Sequence, residues 1–124
     1  VTKRITIGAL CVVLSLLLAI SGWFYMKSVC EKLITAGETA LASYDSGTFF
    51  QLAQNALNEW EKRDKLVSVF IKHDDADRVD GLYLTLKSCI NEKNSEMTAY
   101  YLRLCVSEIR VLFMGEKPGV ENVF

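Results

Sequence analysis

The only histidine of the chain, His73, stands beside four aspartates, Asp74, Asp75, Asp77 and Asp80. An imidazole among carboxylates is a donor set for a divalent metal, or a base with an acid to orient it. Helical spacing puts Asp77 and Asp80 on one face, near His73 only if the chain folds back. A calcium loop counted from Asp75 needs a glycine at its sixth position and a glutamate at its twelfth, and finds Asp80 and Leu86 there. The expected reading is structural: the imidazole closes one helix at the negative end of its dipole, and the acids open the next. Metal binding is the competing reading. Of the four cysteines, Cys30, Cys89 and Cys105 lie outside the apolar N-terminal run and Cys11 within it, and no Cys-x-x-Cys pair exists for a zinc or redox site. In a hairpin turning near Asn94, Cys89 and Cys105 would differ in height by roughly 9 Å, too far for a disulfide. Buried free thiols are expected, with an intermolecular disulfide through Cys30 as the alternative. Glu59, Glu61 and Asp64 read as the solvated face of a helix, and no Gly-x-Ser-x-Gly elbow is present. The expectation is no catalytic residue, no cofactor and no metal.

Those residues belong to a chain in which Pro occurs once and Gly seven times, so long stretches read as continuous helix. Asp45, Ser46 and Gly47 form a turn, with Asp45 or Ser46 as N-cap of the helix that follows. Phe49, Ala53, Ala56, Trp60, Val67 and Phe70 then recur at intervals of three and four, Arg63 taking one apolar slot, and predict a helix of about twenty-five residues ending near His73. Val79, Leu82, Leu86 and Cys89 mark a third helix with an acidic first turn. NEKNSE is the next turn, and a final helix from Ser95 to Met114 carries Met97, Tyr101, Leu104, Cys105, Ile109 and Leu112, flanked by Tyr100, Leu102, Val106 and Phe113. Gly115, Pro118 and Gly119 stop it before an apolar tail of Val120, Val123 and Phe124, expected to fold back on the groove near His73 and Asp77 with Asn122 bonding free backbone groups.

The first helix serves a different solvent. Ile5 to Met26 contains twenty-two residues without a charge, and as a helix it would span roughly 33 Å, enough to cross a bilayer. Lys3 and Arg4 mark the cytoplasmic end, and Trp23 and Tyr25 fall where amphipathic rings favour the far interface. A cleaved signal peptide is the competing reading, since Ala19 and Ser21 form a small-x-small pattern before Gly22, but the apolar run continues past that point. Val29, Leu33, Ala36, Ala40 and Tyr44 carry the helical spacing onward, so anchor and stalk are expected to be one helix. The division is an anchor over residues 1–26 and an extracytoplasmic helical bundle with an apolar tail over 27–124. The fold class is therefore all-α: an N-terminal transmembrane helix continuing into a small antiparallel bundle of three to four helices. Residues 27–124 hold 12 basic and 15 acidic side chains, interleaved, which sets nucleic-acid binding aside.

The stretch WEKRDKLVSVFIKHDDADRVD from Trp60 to Asp80, with the closing GVENVF, resembles a clostridial family of small membrane-anchored proteins of unknown function, domain of unknown function 4363. The shared features are a tryptophan, a Phe-x-x-His step, an acid-rich turn and an Asn-x-Phe ending, here Trp60, Phe70, His73, Asp77, Asp80, Asn122 and Phe124. Ala76 departs from the pattern, which has a larger aliphatic residue there. The resemblance implies one N-terminal anchor, a helical remainder, no assigned activity, and the company of a small multi-pass membrane protein. The expected partners are the lipid bilayer and another membrane or envelope protein, or a second copy of the chain. The expected function is a non-catalytic, membrane-tethered interaction module or accessory subunit. A sensor or small-ligand-binding bundle is the alternative, and an envelope enzyme the third.

Overall fold

The computed structural model describes residues 2–113, all but the turns among them helical. Four helices follow in order: α1 (Thr2–Ala42), α2 (Phe49–Phe70), α3 (His73–Asn91) and α4 (Ser95–Phe113). Short turns force each helix to run against the one before it. α1 packs on α2 and α4, and α3 closes the square by packing on the same two. The fully buried residues of α1 begin at Val29, with Met26 partly buried against the core before them.

The core is built from one stripe per helix. Val29, Leu33 and Ala40 of α1 meet Phe49, Ala53, Leu57, Trp60 and Val67 of α2, Val79, Tyr83 and Leu86 of α3, and Ala99, Leu102, Cys105 and Ile109 of α4, all nearly excluded from solvent. Spacings of three and four in each helix put these side chains on one face. Gly37 lets α1 and α4 approach closely: a Cβ there would clash with Cγ2 of Val106, a β-branched side chain with few rotamers to move to. An ion pair between Arg110 and Glu38 ties the same two helices at their edge. The hydroxyl of Thr98 is buried without a hydrogen-bond partner.

The N-terminal part of α1 has no such partners. Its most apolar eighteen-residue window has a mean hydropathy of 2.4 and contains no buried residue. Leu10, Leu14, Leu17 and Leu18 are all exposed. α1 is thus a single helix of 41 residues, long and apolar enough at its start to cross a membrane and patterned at its end for a bundle.

Several local expectations need correction. α2 ends at Phe70, and His73 opens α3 instead of closing α2, because Ile71 (φ −125°, ψ 165°) and Lys72 (φ −61°, ψ 143°) are extended and break the helix one step before the acids. Asp74 and Asp75 then occupy the first turn of α3, where the helix dipole favours them. Neither Asp45 nor Ser46 is the N-cap of α2; that place is Thr48, whose carbonyl accepts from the Leu52 amide, while the Ser46 hydroxyl oxygen accepts from the Thr48 amide at 3.1 Å. Phe70, Met97, Tyr100 and Tyr44, all counted in apolar stripes, are exposed. The turn after α3 is a Schellman motif: Lys93 takes φ 58°, its amide donates to the Ile90 carbonyl and the Asn94 amide to the Cys89 carbonyl. The Asn94 side chain then caps α4 by accepting from the Met97 amide at 3.2 Å.

Candidate functional site

A cleft of about 210 Å³ between α2 and α3 gathers Trp60, Asp64, Lys65 and Ser68 on one side and His73, Ala76, Asp77 and Asp80 on the other. Four residues singled out in the sequence, Trp60, His73, Asp77 and Asp80, therefore do converge. The contacts they make tie α3 to itself and to α2. Trp60 is 2 % exposed; its indole Nε1 donates to Asp80 Oδ1 at 3.1 Å, and its ring stacks on Tyr83 with centroids 4.9 Å apart and planes 4° from parallel. His73 Nε2 lies 3.3 Å from Asp77 Oδ2, one helical turn on, with both side chains largely in solvent. Asp75 is held by Arg78 at 2.9 Å, and the same guanidinium reaches Glu108 on α4 at 2.6 Å, linking the two helices.

Each acid near His73 that makes a contact is thus engaged with a different partner. Among the described residues no group of three His, Cys, Asp or Glu side chains is placed to hold a metal ion. The cysteines are free, and Cys30, Cys89 and Cys105 are buried, which closes Cys30 to an intermolecular disulfide in the folded chain. Burial pushes the Cys30 thiol up to about 12, with a smaller push from Glu31, and burial alone does the same to Cys105. Burial also raises Cys89, with help from Glu92, and raises the Tyr83 phenol well above its usual range, Cys105 and Cys30 adding to it. A thiol held protonated is a poor nucleophile. Glu59, read as part of a solvated face, is half-buried and paired with Arg63 and, at 3.7 Å, with Lys62. Asn122, Phe124 and the proposed docking of the tail near His73 lie outside the described residues.

Two surfaces were not singled out from the sequence. One is a shallow groove of about 440 Å³ between α1 and α2, where Thr35, Ala36 and Thr39 face Leu52, Asn55 and Arg63. Short side chains at 35, 36 and 39 are its only sequence signal, since a helix face of low relief leaves space beside a neighbour. The other surface is apolar: Leu66, Val69 and Phe70 at the end of α2 are 52 %, 75 % and 49 % exposed. Phe70 lies against α1, its ring centroid 6.2 Å from that of Tyr25, and a Cβ on Gly22 would meet its ring edge at 2.9 Å. Periodicity placed Phe70 in the core because it stands three residues after the buried Val67.

Comparison with known proteins returns no matching family model, no similar curated protein and no similar solved structure.

Proposed function

We propose that the chain is a non-catalytic, membrane-tethered helical module that docks another envelope protein or a second copy of itself. The observation that carries this reading is the division of α1: one unbroken helix whose most apolar eighteen-residue window contains no buried residue and whose second part is a wall of the bundle. A continuous helix holds the bundle at a fixed height, which a flexible linker would not do. The side chains with chemical potential support a structural role, since His73, Asp75 and Asp80 are engaged within α3 or with α2 and the bundle thiols are buried. In this reading Lys3 and Arg4 keep the N-terminus in the cytoplasm and the bundle lies outside. The α1–α2 groove, with Thr and Asn side chains for hydrogen bonds and Leu52 for apolar contact, is the docking surface. The resemblance to small anchored proteins of unknown function is consistent with an accessory subunit.

A photoreactive residue at position 55, in the full chain in its native membrane, tests the proposal. Capture of one discrete protein, or of a second copy, is expected, and the same residue at the exposed position 84 on α3 should capture neither. Recovery of lipid alone at position 55 would overturn the docking role. Protease added to intact, wall-stripped cells should digest the bundle, and protection there with digestion after lysis would reverse the topology.

A further inference from the structure

We infer that the corner between α2 and α3 is a second membrane contact: Leu66, Val69 and Phe70 enter the headgroup region of the same bilayer that α1 crosses, and so fix the tilt of the bundle on the lipid surface. The inference rests on the tethered reading of α1 and adds a place where the folded bundle itself meets lipid.

Depth is the first argument. Phe70 packs on Gly22 and Tyr25 of α1, and both lie inside the uncharged run from Ile5 to Met26. At 1.5 Å per residue, Gly22 is roughly 7 Å to the membrane side of Lys27, the first charge after the run. A helix embedded up to Met26 therefore brings the end of α2 down to the level of the ring belt formed by Trp23, Phe24 and Tyr25. The second argument is the exposed face. Residues 66, 69 and 70 have the i, i+3, i+4 spacing of one helix stripe, yet that stripe points away from the bundle. Three large apolar side chains on one stripe, with Phe70 in contact with Tyr25 of α1, are costly in water and favourable at an interface. Third, the patch is too small for a protein partner, because three side chains fall far short of the roughly 1,200 Å² that a specific protein contact buries.

Charge neither drives nor prevents the contact. Lys65 and Lys72 flank the corner and are offset by Asp64 and Asp74, while Lys27 lies over the Trp23 ring at 5.3 Å. The occupant is therefore the interface of a lipid bilayer in general, and neutral phosphatidylcholine should suffice.

The test uses the full chain in phosphatidylcholine vesicles with Cys11→Ala and one added cysteine, Leu14→Cys, Leu66→Cys, Val69→Cys or Tyr100→Cys, each carrying an environment-sensitive fluorophore. Cys30, Cys89 and Cys105 are buried, and the Cys11→Ala chain without an added cysteine measures any background labelling. Lipids brominated near the headgroup end of their chains should quench positions 66 and 69 severalfold more than position 100, which lies towards the opposite end of the bundle, and iodide in the water should show the reverse order. Quenching at 14, with 66 and 69 behaving like 100, would overturn the corner contact and leave the tether standing. Position 14 lies mid-membrane on this reading and is read with lipids brominated near the ends of their chains; no quenching there would overturn both. Shielding of 66 and 69 from both quenchers would mean that protein covers the corner, which also overturns the inference. Deletion of residues 114–124 would then tell the chain's own tail from a second copy.

Discussion

The two parts of α1 differ both in content and in arrangement: the first is without charge over Ile5–Met26, the second carries Lys27, Glu31, Lys32 and Glu38. Before Lys27 apolar side chains surround the axis; after it they keep to one side, at Val29, Leu33 and Ala40, while Glu31, Lys32, Glu38 and Thr39 take the other. A helix apolar all round needs an apolar solvent, whereas a striped helix needs neighbours. No break in the backbone marks the junction, which shows only in the side chains from Lys27 onward. Solvent preference is thus set by the distribution of side chains around the axis, and the backbone is indifferent to it.

Removing the centre of the bundle sharpens that comparison most. Trp60→Ala strips a buried ring stacked on Tyr83 and should cost roughly 3 to 5 kcal/mol, enough to melt a bundle of this size. In detergent, circular dichroism should show loss of the bundle helices with Ile5–Met26 still helical, because that segment takes its partners from the detergent. A fully helical, equally stable variant would mean that the ring is not central to packing.

Alkali should act on the bundle alone. The Cys30 and Cys105 thiols are raised to about 12 in the fold from an ordinary 9.0, so the unfolded chain loses these protons first. Their stabilisation is complete below about pH 9 and is lost as pH rises towards 12, at about 1.4 kcal/mol per pH unit for each thiol. The paired change Cys30→Ala, Cys105→Ala should flatten the unfolding curve over that range.

Glycines give the most direct contrast within one helix. Gly37→Ala places a methyl in clash with Val106 and should cost about 1 to 3 kcal/mol, with Val106→Ala in the same chain recovering much of it. Gly8→Ala meets nothing within 4 Å and should change bundle stability by less than about 0.5 kcal/mol. Equal effects at the two positions would break the comparison. Between these lies Asp80→Ala, which leaves the Trp60 N–H without its acceptor and should cost about 1 to 2 kcal/mol; Asp80→Asn keeps an acceptor and should recover part of it.

The continuity of α1 was legible because no Pro or breaker cluster interrupts positions 5 to 42 and apolar residues keep their spacing across the junction. The core stripe of α2 was legible as far as Val67. Its end was not, because Ile71, although β-branched, continues the apolar spacing four residues after Val67, Lys72 suits a helix, and the acids after them suit the start of a helix as well as a break. The convergence of Trp60 with Asp80 joins residues twenty apart and depends on how α3 is rotated against α2, which periodicity does not encode. The α1–α2 groove was illegible for the same reason, since it exists only between two helices.

The unbroken run of α1 past Gly22 also sets a length. From Gly22 to Ala42 the helix rises about 30 Å, so on the proposed reading the turns at residues 43–48 and 92–94 stand some 20 to 25 Å above the headgroups. A module of that stature reaches only what lies in a thin layer over the bilayer. Its search for a partner becomes two-dimensional: diffusion in a plane replaces diffusion in a volume, local concentration rises, and a contact too weak to hold in solution suffices to hold in the membrane.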